Sequence, residues 1–462
     1  MILFWHPLII SLIAVMMTIL GFKWRKKYIV IYALLLPAFT GTPIMTATRG
    51  AAGAIVASDV VGIALFGLLF FIPREWLRSY KLKLHSYVNM IMMFLVISIC
   101  FMGLFYNFIS IDYSQQGNVR LTSAIPLPIL MAGFRMFKLI AFASYIYFFL
   151  AVRLDERDAI TIINAIITGC ILLALAMILT RLSVVNLSLA HADIRQVHIG
   201  PRILGLTKSS VGRLMCVGFV LSLLRIYQGG KLFNLLGIIV TVGALSLSGS
   251  RGSLLALVVA LMVIYVLGKS RGILLGTMGA VVIGIVGIVF LNYNQDILQA
   301  WMKTVDAETI STASSRTIIW KETVFYWMSN PLAFLVGVGL FNFSYANTES
   351  YYESAHNDLL TAITEIGICG GLFYILILFS LAWFFYRQTI HTSGNLRWHY
   401  VCILALLLGL TVSSIFEPTF YLTVSNLTFN RIVTVLFLIQ VITPVGEINS
   451  TEEIEIENCS YA

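Results

Sequence analysis

Residues 292–371 begin NYNQDILQAWMKTVDAETISTASSRTIIWKETVFYWMSNP and end SAHNDLLTAITEIGICGG. This is the longest polar interval in a chain that is otherwise apolar enough to lie in a bilayer. Of the 462 residues, 59% are hydrophobic and only 11% are charged, and the mean hydropathy is +0.92. Soluble domains are typically about 45–50% apolar and about 25% charged. The composition therefore predicts an integral membrane protein with one long loop outside the membrane.

Apolar runs of about 17–25 residues recur along the whole chain, and each is long enough to cross the hydrocarbon core as a helix. Because backbone polar groups in lipid must be paired within the segment, the sequence predicts an all-α polytopic bundle of about 12–13 transmembrane helices. The predicted spans are Ile2–Phe22, Tyr28–Met45, Ala54–Ile72, Tyr87–Ser110, Pro128–Val152, Ala159–Leu179, Val211–Ile226, Leu232–Leu247, Leu254–Leu267, Ile273–Leu291, Leu359–Tyr386, Tyr400–Phe416 and Leu427–Val445.

Basic residues mark every second loop, as in KWRKK at 23–27. Short loops rich in Lys and Arg remain in the cytoplasm. We therefore expect one integral-membrane domain over residues 1–445, with loops on the opposite face at about 180–210 and 292–358. Residues 446–462 are predicted to form a polar cytoplasmic tail.

The net charge of +9 does not indicate nucleic-acid binding, because the basic residues lie mostly in short loops next to apolar runs. There they act as topology signals and as anchors to membrane lipids. The six cysteines match neither a disulfide framework nor the spacing of a metal site.

Cationic side chains gather at the predicted outer ends of several helices. Arg202, Lys208 and Arg213 lie in GPRILGLTKSSVGR, where cations beside helix-start N–H groups suit phosphate oxygens. Arg251 lies in SLSGSRGSLLALVV, in a turn so short that its guanidinium stays at the membrane boundary, where charges are usually paired or functional. The alternative interpretation is that these residues bind lipid headgroups or snorkel.

Two further segments, SSRTIIW and SAHND, supply the remaining candidates. Arg316 and Trp320 are one helical turn apart, so both can face one ligand. Alternatively, Trp320 belongs to an interfacial aromatic belt. His356 is a candidate general base near neutral pH, with Asp358 or Glu353 to orient its ring. The alternative is an inert loop histidine.

These residue types suit displacement of a diphosphate leaving group from the anomeric carbon of a sugar. Arginines stabilise the charge that develops on the departing diphosphate, and the histidine deprotonates the attacking hydroxyl. The outer face shows no Asp/Glu/His cluster with divalent-metal spacing, so we expect no metal and no other cofactor.

Three segments also resemble a known family, the O-antigen ligase/polymerase superfamily. They are SGSRGSLLAL, SSRTIIWKETVFYWMSNPLAFLVGVGLFNF and SAHNDLLTAITEIGICGGLFYILI. Members share an S-R-G turn, an R-x3-W stretch leading to a Gly-Val-Gly run, and an H-N-x9-G motif. Here these motifs correspond, in the expected order, to Arg251, to Arg316 with Trp320, and to His356 and Asn357 with Gly367. RILGLTKSSVGR resembles the family's Arg-Gly segment less closely, and the whole match covers about residues 202–385.

The resemblance implies a GT-C-like transferase in the bacterial cytoplasmic (inner) membrane, with its active site on the periplasmic side. Its donor would be an undecaprenyl-diphosphate-linked glycan, and its acceptor a glycan or lipid A-core. The implied site consists of His356 as the base, of Arg251, Arg316 and Arg202 as pyrophosphate ligands, and of Asn357, Lys208 and Trp320 as supporting residues. Further expected partners are membrane lipids and a chain-length regulator protein, and no nucleic acid.

Within this family we favour an O-antigen or surface-polysaccharide repeat-unit polymerase, with an O-antigen ligase as the alternative. A polysaccharide flippase or other transporter is a competing hypothesis, supported by Arg135 and Lys138 inside an apolar run. A purely structural scaffold is the third.

Overall fold

The computed structural model describes residues 2–3, 5–41, 43–46, 54–77, 127–181, 206–230, 232–248, 250–268, 316–339, 343, 354–417, 419–420 and 427–442.

These residues form helices together with three short strands. The helices are α1 Trp5–Lys23, α2 Lys27–Leu35, α3 Ala57–Leu68, α4 Leu127–Ala151, α5 Glu156–Arg181, α6 Lys208–Tyr227, α7 Leu232–Ser248, α8 Arg251–Gly268, α9 Arg316–Ser329, α10 Pro331–Val336, α11 Asp358–His391, α12 Gly394–Ser414 and α13 Leu427–Ile442. The strands are β1 Ile2–Leu3, β2 Pro43–Thr46 and β3 Ala54–Val56, which pair antiparallel in the order β1-β2-β3.

The predicted all-α polytopic architecture is confirmed. By length and composition, five helical segments can cross a membrane: Glu156–Thr180, Ser209–Tyr227, Arg251–Gly268, Asp358–His391 and Gly394–Ser414. Six shorter apolar segments accompany them in α1, α2, α3, α4, α7 and α13. The number of spans stays a prediction, because Tyr87–Ser110 and Ile273–Leu291 lie outside the described residues.

The predicted second span, Tyr28–Met45, is wrong in its C-terminal part. Helix α2 continues only as a 3-10 turn over Leu36–Phe39, and the chain then becomes extended and enters β2. Proline lacks a backbone N–H and cannot continue an α-helix. Pro37 therefore ends the α-helical part early.

Helix α12 is a central packing element, in contact with both α8 and α11, while α6 contacts α5, α7, α8 and α12. In the apolar windows of α6 and α12, 83% and 72% of the residues are buried, against 28% and 17% in α8 and α11. Helices α8 and α11 therefore turn much of their apolar surface outward, as lipid-facing helices do.

A buried charge cluster joins α3, α4 and α13. Lys138 Nζ lies 3.4 Å from Asp59 Oδ2, and Arg431 donates to Asp59 Oδ1 and to Ser58 Oγ. The Arg431 guanidinium also lies 5.4 Å from the centre of the Tyr145 ring. Lys138 is one of the two residues that support the transporter hypothesis, and it is paired with Asp59 inside the bundle. The side chain of Arg135, the other residue, lies outside the described part of the structure.

Candidate functional site at the converging helix ends

Several helix ends meet at one end of the bundle. A Cβ on Gly252, the second residue of α8, would lie 3.5 Å from Ser413 Oγ in α12 and 3.6 Å from Glu417 Cγ. The Ser253 hydroxyl donates to the carbonyl oxygen of Ser209 in α6, at 3.4 Å. The starts of α6 and α8 therefore lie beside the end of α12.

The carboxylate of Glu417 joins two of the predicted site residues. Its Oε1 accepts a hydrogen bond from Arg316 Nη2 at 2.6 Å, and its Oε2 lies 3.4 Å from His356 Nδ1. The side chains of Glu417, Arg316 and His356 are 14%, 23% and 34% exposed, so the group is partly buried but still accessible. Arg316 and His356, distant in sequence, are held against the same acid.

The pKa of Glu417 is lowered to about 2. Burial alone would raise this pKa, but the hydrogen bond from His356 and the positive charges of His356, Arg316 and Arg213 outweigh burial. Glu417 is therefore a permanent anion at physiological pH.

Arg213 is a fully buried cation of α6 beside this group. Its Nη1 donates to Thr419 Oγ1 at 3.0 Å and its Nε to the Ser209 carbonyl at 3.1 Å. The guanidinium lies 4.6 Å from the centre of the Phe429 ring. The sequence analysis named Arg213 as one of the cations at the outer helix ends but assigned it no role in the site. In the structure it lies next to the segment that carries Glu417.

Asp358, the first residue of α11, fixes the same segment. Its carboxylate accepts the backbone N–H of Thr419 at 3.0 Å and of Phe420 at 2.7 Å, and the Tyr374 hydroxyl at 3.1 Å. The sequence predicted Asp358 or Glu353 as the acid that orients the histidine ring. The structure places a third acid, Glu417, against that ring, and Glu353 lies outside the described residues.

The backbone at His356 has a positive φ of 50°. A non-glycine residue adopts this conformation only when its surroundings enforce it, and such residues are common at functional sites. Part of the enforcement comes from Trp320, whose indole Nε1 donates to the carbonyl oxygen of Ala355 at 2.8 Å. Trp320 therefore braces the loop that presents His356.

Asn357 connects the start of α11 to the end of α12. Its Oδ1 accepts the N–H of Leu360 at 3.0 Å, which is an N-cap bond, and its Nδ2 donates to the Ile415 carbonyl at 3.2 Å. Asn357 therefore ties the end of α12 to the start of α11, and its supporting role in the site stays a prediction.

Helix α11 is interrupted at Gly367, and this break explains the glycine of the H-N-x9-G motif. Gly367 has a φ of 76°, and a Cβ there would lie 2.1 Å from the Leu335 carbonyl oxygen. The break frees the carbonyls of Thr364 and Glu365, which accept the N–H groups of Val338 and Gly339 at 2.8 Å each. This contact fastens the segment after α10 to α11, and so positions α9 beside the His356 loop.

The other predicted site residues are less completely described. Arg251 begins α8 beside Gly252, with an exposed side chain that makes no hydrogen bond or ion pair within the described ranges. Lys208 is the first residue of α6. Arg202 lies outside the described residues.

Glu417 was not predicted, although the sequence carries one signal for it. The dipole of a helix disfavours a carboxylate close after its C-terminus. An acid that directly follows the apolar run of α12 therefore requires a cationic partner, and the sequence alone does not say which one.

Among the described residues, no three His, Cys, Asp or Glu side chains are grouped so that they could hold a metal ion. Metal independence stays a prediction.

Five helical segments of the described residues are long and apolar enough to cross a membrane, and a paired arginine, histidine and carboxylate lie at helix ends. These two features define the class of the protein, which is a multi-pass membrane protein with a charged site at its helix ends. The family described as O-antigen ligase matches residues 236–375. The matched part contains Arg251, Arg316, Trp320, His356 and Asn357.

The resemblance to the O-antigen ligase/polymerase superfamily is thereby confirmed for that part of the chain, and it supports an O-antigen ligase/polymerase-type membrane enzyme. Glu417 and Arg213 lie outside the matched residues. A search of curated proteins gave no match.

Proposed function

We propose that this protein is a metal-independent glycosyltransferase of the bacterial inner membrane. It transfers a glycan from an undecaprenyl-diphosphate-linked donor to an acceptor hydroxyl at the periplasmic face. The observation that carries the proposal is the bridging carboxylate of Glu417, which holds Arg316 and His356 together. The group that deprotonates the attacking hydroxyl and the group that binds the departing diphosphate must lie close together, because both act on substituents of the same anomeric carbon.

In the proposed mechanism, Nε2 of His356 acts as the base. Nδ1 faces Glu417 Oε2, so the neutral ring that donates its Nδ1–H there keeps the lone pair on Nε2. Nε2 accepts the proton of the acceptor hydroxyl as its oxygen bonds to the anomeric carbon. The bond from that carbon to the diphosphate oxygen breaks, and its electron pair leaves with the diphosphate. The anionic Glu417 stabilises the imidazolium that results.

The arginines stabilise the leaving group. A guanidinium has five N–H donors, so Arg316 can hold Glu417 and still donate to phosphate oxygens. Arg251, at the exposed start of α8, supplies a second cation from the adjacent helix end. Positive charges that are already in position before the reaction stabilise the transition state more effectively than groups that must reorganise during it.

Repeat-unit polymerase is the activity we favour, and O-antigen ligase is the alternative. Deleting the gene and analysing the surface glycan separates them. Loss of a polymerase leaves lipid A-core with one repeat unit, whereas loss of a ligase leaves polymer on its lipid carrier.

Transfer by the purified full-length protein in lipid nanodiscs, with a lipid-linked donor isolated from the deletion strain, tests the chemistry. We expect transfer that EDTA does not inhibit and that His356→Ala abolishes. Activity that EDTA removes and Mg²⁺ restores would contradict the proposed mechanism, and full activity of the His356→Ala variant would exclude the assigned base.

A further inference from the structure

Glu417 lies on a backbone segment that the Asp358 carboxylate holds from one side. The N–H of Thr419, two residues after Glu417, lies 3.0 Å from both carboxylate oxygens of Asp358 and donates to them. The N–H of Phe420 donates to Oδ2 at 2.7 Å. Asp358 is only 1% exposed and Thr419 is fully buried, so water does not compete for these bonds. Asp358 therefore fixes the backbone just beyond Glu417.

The segment around His356 and the segment around Glu417 are joined in register. Asn357 Nδ2 donates to the carbonyl oxygen of Ile415 at 3.2 Å, and His356 Nδ1 lies 3.4 Å from Glu417 Oε2. Asp358 adds the bonds to the backbone beyond Glu417. Three consecutive residues thus contact the other segment before, at and after the acid. Together these contacts set the distance from the carboxylate to the imidazole.

Helix α11 bends so sharply at Gly367 that its two parts touch each other. A Cβ on Gly371 would lie 2.3 Å from Ile363 Cγ1 and 3.5 Å from Leu359 Cδ1. In a straight α-helix, residues 359 and 371 would be about 18 Å apart along the axis, given a rise of about 1.5 Å per residue. Because Gly371 has no side chain, the two parts can pack this closely.

This bend brings Tyr374 back to the start of the helix. Its hydroxyl donates to Asp358 Oδ2 at 3.1 Å, although the two are 16 positions apart in the chain. The same hydroxyl lies 3.3 Å from Ser414 Oγ, on the last residue of α12. Tyr374 therefore links the Asp358 carboxylate to the helix end from which the Glu417 segment continues.

We propose that Asp358 and Tyr374 are positioning residues of the transferase and that both act through Glu417. The inference rests on the proposed function and extends it to two residues behind the site. Tyr374 fixes the Asp358 carboxylate, and this carboxylate fixes the backbone that carries Glu417. The position of Glu417 in turn sets how Arg316 and His356 lie relative to each other. Asp358 thus orients the histidine ring only indirectly.

The substitution Asp358→Asn keeps the shape of the side chain but not its bonds. One oxygen becomes an NH2 group, which has no lone pair to accept a backbone N–H. Because the nitrogen of Thr419 lies 3.0 Å from both oxygens, the amide places its NH2 group against this donor in either orientation. Tyr374→Phe is milder, since it removes a single hydroxyl.

The kinetics of these variants, measured as transfer by the full-length protein in nanodiscs, test the proposal. We expect Asp358→Asn to lower kcat about tenfold, less than the roughly hundredfold that a 1 Å displacement can cost. Tyr374→Phe should lower kcat severalfold. KM for the donor should change little in both variants, because the proposed diphosphate ligands remain in place.

A double-mutant cycle with Glu417→Gln separates positioning from general structural support. Residues that act through the carboxylate have little left to contribute once it is removed. We therefore expect Asp358→Asn and Tyr374→Phe to have little further effect on kcat in the Glu417→Gln background. Losses of the same size in both backgrounds would overturn the proposal, as would normal kcat for either single variant.

Two matched substitutions far from the site serve as controls. Tyr145→Phe removes a buried hydroxyl that donates to a backbone carbonyl at 3.1 Å. Asp158→Asn changes a carboxylate in the first turn of α5 that accepts a backbone N–H at 3.2 Å. Both should leave kcat unchanged, and losses equal to those of the tested variants would contradict a specific role. If Asp358→Asn does not fold, Tyr374→Phe carries the same cycle.

The wild type and His356→Ala, measured in the same assay, separate this inference from the proposed function. Absence of transfer by the wild type, or full activity of His356→Ala, would remove the proposed function and the positioning roles with it. An active wild type that needs His356, combined with additive losses in the cycle, would overturn the positioning roles alone.

Discussion

At the scale of single residues, Glu417 decides how the site is held together. A buried acid that faces only one cation forms a simple ion pair, whereas Glu417 divides its two oxygens between Arg316 and His356. Its negative charge therefore fixes the position of Arg316 relative to His356. If these two residues act as proposed, we expect that the charge of Glu417, and not only its shape, is needed for activity.

Glu417→Gln should lower kcat by roughly a hundredfold, because the amide keeps the shape of the side chain but no longer stabilises the imidazolium that forms when His356 takes up the proton. KM for the donor should change little. The measurement is the rate of transfer in nanodiscs as a function of donor concentration.

Glu75→Gln is the matched control, since Glu75 also pairs with an arginine, Arg25 at 2.9 Å, but on the exposed surface. It should leave kcat and KM unchanged. A Glu417→Gln enzyme with normal kcat would show that the carboxylate has only a structural role.

The pKa of Glu417 also makes a prediction about stability. Its folded-state pKa of about 2 lies below the ordinary value of 4.5, so the ionised carboxylate stabilises the fold above about pH 4.5. This contribution should decrease as the pH falls from about 4.5 toward 2. The melting temperature of the wild type should decrease over that range more steeply than that of Glu417→Gln, measured by scanning fluorimetry in detergent. Parallel curves would contradict the assigned ion pairs.

At the scale of helices, the break at Gly367 positions α9 and α10. The conformation at Gly367 releases two carbonyls of α11, and the backbone after α10 takes them up. Because α9 carries Arg316 and Trp320, this single irregularity determines where both side chains lie relative to His356. Its effect on the site is therefore indirect but large.

Gly367→Ala should destabilise the protein by about 1–3 kcal/mol and reduce activity, because a Cβ would meet the Leu335 carbonyl at 2.1 Å in a strained conformation. Gly67→Ala in α3 is the control, since nothing lies within 4 Å of its added Cβ. Alanine there should be neutral or slightly stabilising. Melting temperature and transfer rate should fall only for Gly367→Ala, and equal behaviour of the two variants would refute this account of the break.

At the scale of the whole molecule, buried charges tie the last described helix to the early ones. Asp59 in α3 balances Lys138 in α4 and Arg431 in α13. Two residues before Arg431, Phe429 lies beneath the Arg213 guanidinium. The cluster therefore also helps to hold the start of α13, and with it Phe429, beside Arg213.

Asp59→Asn should cost about 3–5 kcal/mol of stability, because it leaves two cations buried without an anion. Adding Lys138→Met should recover part of the loss. Glu156→Gln, an exposed acid in the first turn of α5, serves as the control and should change stability little. Thermal unfolding in detergent measures all three variants, and an unchanged melting temperature for Asp59→Asn would show that the cluster is not needed.

The sequence by itself determined the membrane character, most of the span limits and the family resemblance. Hydropathy acts over some twenty consecutive residues, so these features can be read from local composition. Leu232–Leu247 and Leu254–Leu267, for example, differ from α7 and α8 by at most three residues at either end. The hydropathy pattern gave a wrong limit for the second span, because α2 ends before Pro37 and the chain then enters β2.

Only the tertiary structure decided which charges meet. Ion pairs between distant segments leave no periodic signal, because their partners are chosen by helix packing and not by spacing along the chain. Arg316 and His356 were identifiable as chemical groups, but the acid between them comes from the end of α12, and a buried arginine of α6 adds its charge. The physical reason is that a charge buried in a low-dielectric interior requires a partner of opposite charge, whereas the sequence does not show which residue that partner is.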